Sequence, residues 1–197
     1  LVFILVLTSL AAVTIALLQL GHEKHIRRAF ELAAMIMVGF GWFVTFKVSS
    51  KTQRKQHTLN VLTQSRLSTA YMENVKALDK VAPFPSQIPE FLADCIKNLT
   101  FDESDTPKKR NYEAALATRY LLNYFEYLSA GMRQGDLDAR LIYETVGGIM
   151  ASLYDRTKGY RAKINSDQPE AFEHLEYVTK NFRRWRADKN APRVLKD

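Results

Sequence analysis

The sequence predicts an all-α protein, a two-helix transmembrane hairpin followed by an antiparallel helical-bundle soluble domain. Three observations predict this. Residues 1–20 carry no charge, a second apolar run follows at 29–46, and the apolar spacing from about residue 50 onward is helical, with no run of alternating β-branched residues. The mean hydropathy of −0.22 averages an apolar head with a charged body, so the average hides the division.

The first span, Leu1 to Leu20, has Gln19 as its only strongly polar side chain. Twenty residues at about 1.5 Å each cover about 30 Å, the thickness of a bilayer's hydrocarbon core. A cleaved signal peptide fits less well, because no small-x-small site closes the segment and a second apolar span follows at once. That second span is bounded by Arg27, Arg28 and Lys47, and its one charge, Glu31, lies in its first turn, in reach of headgroups. The short connection 21–28 makes the spans antiparallel neighbours. Thr8, Ala12 and Ala16 on the first helix, and Ala29, Ala33, Gly41 and Thr45 on the second, form rows of small residues that allow close approach, within a hairpin or in a homo-oligomeric seam.

Orientation follows the distribution of Lys and Arg. The connecting loop holds Lys24, Arg27 and Arg28, whereas Lys47, Lys51, Arg54 and Lys55 follow the second span with no acid before Glu73. This favours a cytoplasmic domain and binding to anionic headgroups. The single cysteine, Cys95, excludes an intramolecular disulfide, suits a reducing compartment, and is expected as a small core residue. The chain opens on Leu1 rather than methionine, so residues upstream are expected, and their charges would bear on topology.

The soluble domain is expected over 49–190, with a tail at 191–197. A helix over Thr52–Thr63 continues the basic segment. Ser68 caps a second helix through Tyr71, Val75 and Leu78, and Pro83, Pro85 and Pro89 then break the chain. A short helix over Pro89–Leu99 follows, then the acidic loop Asp102–Asp105. The strongest helix, about Pro107 to Met132, places Tyr112, Leu116, Tyr120, Asn123, Tyr124, Tyr127 and Leu128 on one apolar face and ends at Gly131 and Gly135. Asp136 or Asp138 opens a helix to about Ile164. Pro169 starts the last helix, whose inward positions are Phe172, Leu175, Val178, Phe182 and Trp185. Long helices with short connections make a bundle.

No catalytic constellation emerges. No Glu-x-x-His occurs, two of the four histidines lie in the 21–28 connection, and Glu170, Glu173 and His174 alone do not make a metal site. Gly147-Gly148 lacks the lysine and hydroxyl of a phosphate loop and reads instead as close packing against a bulky aromatic. No metal or cofactor is expected.

Two groups of polar residues stand out. Arg119, Asn123 and Glu126, with Glu173 and Glu176, could converge as a polar pocket; a satisfied structural network is the plainer reading. Arg183, Arg184, Arg186 and Lys189 form a basic face on the last helix, interleaved with Phe182 and Trp185, which could contact phosphates if the aromatics were free to stack; their spacing is that of a core.

Three segments in order carry a family resemblance: Tyr120-Leu-Leu-Asn-Tyr-Phe-Glu126, Gly131-Met-Arg-Gln-Gly-Asp-Leu-Asp138 and Phe172-Glu-His-Leu-Glu-Tyr177, with Arg54-Lys-Gln-His-Thr-Leu59 upstream. Over about 50–187 the chain resembles the domain-of-unknown-function family 4760. The resemblance implies a bacterial or phage membrane-anchored helical domain, supplies no catalytic residues, and suggests by analogy a part in phage exclusion or defence. The expectation is a non-enzymatic module at the inner face of a bacterial membrane, binding a protein partner or a second copy. A membrane-tethered nucleic-acid binder using the C-terminal basic helix, and an enzyme with a pocket around Asn123 and Glu126, are the alternatives.

Overall fold

The computed structural model describes residues 15, 23–96, 106–188, 190, 193 and 195, and among these every regular element is a helix. From Glu23 onward the described helices are, in order, α1 (Glu23–Arg66), α2 (Thr69–Asp79), α3 (Leu92–Cys95), α4 (Thr106–Gln134), α5 (Ala139–Thr145), α6 (Gly147–Arg156), α7 (Lys158–Asp167) and α8 (Glu173–Ala187). The chain divides into two compact units, 1–53 and 54–197.

In the first unit, one helix among the described residues is long and apolar enough to cross a membrane. Between Phe30 and Val48 its large apolar side chains stand exposed, from 44% at Val44 to 79% at Trp42. That stretch is about 28 Å of helix at 1.5 Å per residue, close to one hydrocarbon core. Apart from Ile15 and the start of α1, the first expected span and the turn of the hairpin lie outside the described residues. In the small-residue row, a Cβ at Gly41 would meet nothing, whereas Ala33 is buried. The juxtamembrane helix expected at 52–63 is no separate element, because nothing between Phe46 and Thr52 breaks the ladder and α1 continues to Arg66.

The second unit is built around α4. Against it pack α2, α3, α6 and α8, while α8 also packs on α6 and α3 on α7. The contact face of α4 shares only Leu128 and the half-buried Tyr124 with the stripe that the spacing predicted. Ala114, Ala115, Ala117, Thr118, Leu121, Leu122, Phe125, Leu128, Ser129 and Met132 are buried, while Leu116, Tyr120 and Tyr127 are exposed. Small residues let neighbouring helices approach, and tyrosines keep their hydroxyls toward water. Asn123, expected on the apolar face, is exposed for the same reason.

Ser68 caps α2 as expected, its hydroxyl accepting the Tyr71 N–H at 3.2 Å, and Asp138 caps α5 through the Leu141 N–H at 3.0 Å. The buried Thr58 hydroxyl donates to the Arg54 carbonyl and accepts the Asp138 N–H at 2.8 Å, tying the end of α1 to the start of α5. Where one helix was expected from Asp138 to Ile164 there are three. Val146 leaves helical geometry at φ −126°, and Thr157 turns its hydroxyl back onto the Leu153 and Tyr154 carbonyls. Gly131 lies within α4, and Gly135, at φ +81°, ends it.

The Pro83–Pro89 segment is held by Arg156, whose guanidinium donates to the Ser86 carbonyl at 2.7 Å and the Ala82 carbonyl at 2.5 Å and lies over the Phe84 ring. The helix after it is only one turn among the described residues. Cys95 is accordingly half-buried rather than a core residue, and burial with the neighbouring Asp94 pushes its thiol pKa up.

Tyr143, Phe182 and Trp185 form an aromatic cluster with centroids 5.2–5.5 Å apart. Gly147 makes room for it: a Cβ there would come within 3.2 Å of Phe182 and 3.3 Å of Tyr143. Gly148 shows no such contact, its nearest neighbour being the Arg186 guanidinium at 3.7 Å.

Candidate functional site

Arg119, Asn123 and Glu126 follow one another along α4 at spacings of four and three, which puts them on one side of the helix. The structure brings all three to a cleft of about 580 Å³, closed by Ala93 and Ile96 near α3, by Tyr160, Ile164 and Asp167 of α7, and by the turn 168–172 leading into α8. Tyr160, Asp167, Gln168 and Glu170 have no sequence relation to α4. Only tertiary packing places them there, α7 lying against α3 and α3 against α4, so helical spacing alone does not find them.

Glu126 has an identifiable structural task. Phe172 stands at the N-cap of α8 in the left-handed region, at φ +65°, and offers no side-chain cap. The first N–H groups of a helix need acceptors, and Glu126 supplies them from a different helix. One carboxylate oxygen accepts the His174 N–H at 3.1 Å and the other accepts the Leu175 N–H at 2.7 Å. A negative charge there also meets the positive end of the α8 dipole.

Glu173 and Glu176 do not line the cleft. Glu173 faces Arg133 at 3.4 Å, and Arg133 also meets His174 Nδ1 at 2.7 Å. Glu176 pairs with Lys180 at 2.6 Å, and that bond, with further help from Tyr154 and Arg161, lowers its pKa.

Tyr160 lies at the floor of the cleft with no exposed surface, and its hydroxyl has no hydrogen-bond partner among the described residues. Burial pushes its pKa up to about 12, against a smaller opposing pull from the Arg119 charge. Arg119 itself is exposed and has no ion pair among the described residues.

A second, apolar groove of about 560 Å³ lies between α2, α4 and α6, lined by Tyr71, Met72, Val75, Leu121, Ile149 and Leu153 among others. Met72, Phe84 and Ile149 are 44–69% exposed, and Arg66, Asp79 and Arg156 provide its charges.

The basic face of α8 is divided. Arg183 pairs with Asp155 and approaches the Tyr154 ring at 5.7 Å, lining with Lys158 and Arg161 a depression of about 410 Å³. Arg184 donates to the Asn181 side chain, Arg186 is exposed, and Lys189 lies outside the described residues. Phe182 and Trp185 are 2% and 1% exposed, so neither ring is available to stack on a base. Of the basic residues after the apolar run, Lys47 lies over the Phe43 ring, and Lys51, Arg54 and Lys55 are exposed. Among the described residues, no three His, Cys, Asp or Glu side chains gather as a metal site.

The model of one family, described as a domain of unknown function (DUF4760), matches residues 6–185. No curated protein and no solved structure matches the chain.

Proposed function

The chain belongs to the DUF4760 family, whose description carries no activity, and from its own residues we propose that it is a membrane-anchored, non-enzymatic interaction module. In this reading the exposed apolar stretch 30–48 of α1 lies in lipid as one span of a multi-pass anchor. Each of its large apolar side chains gains about 1.5–3 kcal/mol on leaving water. Lys47, Lys51, Arg54 and Lys55 then sit at an anionic leaflet, which favours the cytoplasmic face of a bacterial inner membrane. A role in phage exclusion or in assembling a membrane complex fits that placement.

The observation that carries the binding half of the reading is the groove between α2, α4 and α6. Met72, Phe84 and Ile149 present apolar surface at a concave site, while Arg66 and Arg156 outnumber Asp79 among its charges. The occupant that fits is an amphipathic helix of a protein partner, its apolar face in the groove and its acidic residues toward the arginines.

A photo-crosslinker placed at Ile149 of the full-length protein in native membranes tests this. The expected product is one discrete adduct, mapped to an acidic amphipathic segment and lost with Met72→Glu. Crosslinks that are diffuse, that map only to lipid, or that survive Met72→Glu contradict the reading.

A further inference from the structure

The residues of α4 that face away from the domain core repeat on a coiled-coil spacing. Leu116, Tyr120, Asn123 and Tyr127 are all exposed and follow one another at intervals of four, three and four. Arg119 and Glu126 run along one flank of this seam. Ala117 and Tyr124 hold the other flank and are taken up by the chain itself. Ala117 is wholly buried, and Tyr124 packs on the Tyr71 ring at 5.6 Å and shares a hydrogen bond with Ser65 at 2.8 Å.

The charges on the free flank select the occupant. Arg119 is exposed and has no ion pair among the described residues. Glu126 is half-buried and keeps its full charge: the two α8 N–H groups fill two of the roughly four acceptor sites of its carboxylate and bring no net positive charge. It lines an open cleft of about 580 Å³, which leaves room for a guanidinium to approach it. Glu170, across that cleft, carries the same sign and adds to the attraction.

This pattern is complementary to its own reversal. Turned end for end about a point between Leu121 and Leu122, a second α4 sets Tyr127 against Leu116 and Tyr120 against Asn123, each pairing made twice. In that register each Arg119 comes within about 3 Å, along the axis, of Glu126 in the other copy, while the two arginines stay about 7.5 Å apart. A parallel copy in register gains no ion pair, because Arg119 and Glu126 would then face the flank held by Ala117 and Tyr124.

We propose that two copies of this protein associate through α4 as an antiparallel pair, with Leu116 on Tyr127, Tyr120 on Asn123, and two reciprocal Arg119–Glu126 ion pairs. Asn123, a polar residue within the seam, fixes the register by meeting the Tyr120 hydroxyl. The seam runs about 16 Å from Leu116 to Tyr127, which places the association in the weak class of interfaces and calls for covalent capture. It uses a different face of α4 from Leu121 and Phe125, which line the apolar groove, so it stands independently of the partner proposed there.

Disulfide capture in native membranes tests the pairing, on the full-length protein with Cys95→Ala removing the native thiol. Leu116→Cys combined with Tyr127→Cys should give a covalent dimer under mild oxidation, seen on non-reducing gels and lost on reduction. Either cysteine alone should give about tenfold less, because each lies about 16 Å along the axis from its own counterpart, against a disulfide's Cα span of about 4.4–6.8 Å. Adding Arg119→Glu to the double-cysteine protein should cut capture about tenfold, since two attractions become two repulsions, whereas Arg119→Lys should keep most of it. Leu116, Arg119 and Tyr127 are exposed, so helical circular dichroism should be unchanged in these variants. No capture of the double-cysteine protein, equal capture through Leu116→Cys alone, or capture undiminished by Arg119→Glu would each overturn the proposal.

Discussion

Replacing Glu126 by alanine removes both side-chain acceptors from the first turn of α8. The two bonds, at 3.1 and 2.7 Å, join a half-buried carboxylate to backbone N–H groups that have no other acceptor in their own helix. Bonds to a charged group contribute about 1.5–3 kcal/mol each, but water replaces part of the loss where the site is partly open. Loss of a local N-cap costs about 0.5–2 kcal/mol, and the cross-helix cap also fixes α8 against α4. The expected loss is therefore about 2–4 kcal/mol. For a unit of this size, at about 3 °C per kcal/mol, the midpoint should fall by about 6–12 °C. Glu126→Gln should lose about half as much, since its amide nitrogen cannot accept the second N–H. Thermal unfolding followed by helical circular dichroism gives the global number, and hydrogen exchange at His174 and Leu175 gives the local one. A Glu126→Ala protein that melts within about 1 °C of the parent, with those two amides still protected, refutes the capping role.

Three further outcomes follow from the packing. The Tyr160 pKa is raised in the fold, so its stabilisation is complete below the unfolded value near 10 and is lost as pH rises toward about 12. Two units correspond to about 2.7 kcal/mol, and urea titrations across that window should show Tyr160→Phe losing less stability than the parent by about that amount. Gly147→Ala forces the Tyr143 and Phe182 rings to shift and should destabilise by about 1 kcal/mol or more, whereas Gly148→Ala, with only a mobile arginine tip near its Cβ, should be neutral or stabilise by up to about 1 kcal/mol in the same melts. Gly135→Ala places a Cβ in the left-handed region at φ +81° and should cost about 1–2 kcal/mol, read by the shift in urea midpoint at unchanged slope.

Local signals were the legible ones. Ser68 and Asp138 are capping residues whose chemistry acts within three positions, and both cap as their sequence context implies. The positions of Leu175, Val178, Phe182 and Trp185 on α8 follow from spacing because large apolar residues dominate that face. On α4 the same method finds Leu128 and Tyr124 but misplaces the rest of the stripe. Tyr112, Tyr120 and Tyr127 outweigh alanines in any hydrophobic count, yet close helix packing selects Ala114, Ala115 and Ala117. The breaks at Val146 and Thr157 carry no proline, and the second depends on a hydroxyl turning back on its own helix. Half of the cleft was legible, since Arg119, Asn123 and Glu126 share one helix. Tyr160, Asp167 and Glu170 were not, because their proximity is a property of how α7 packs. The grouping of Glu173 and Glu176 with Arg119 failed because Glu173 faces Arg133 and Glu176 pairs with Lys180, neither of which spacing along one helix reveals for the cleft.

The most direct measurement of the central claim is fractionation of cells making the full-length protein, with membranes washed first in high salt and then in alkaline carbonate. A chain whose 30–48 stretch lies in lipid stays in the pellet through both washes and leaves it only with detergent. Release by salt alone would mean that Lys47, Lys51, Arg54 and Lys55 merely adsorb to the surface, and recovery in the aqueous fraction would contradict the membrane anchor outright.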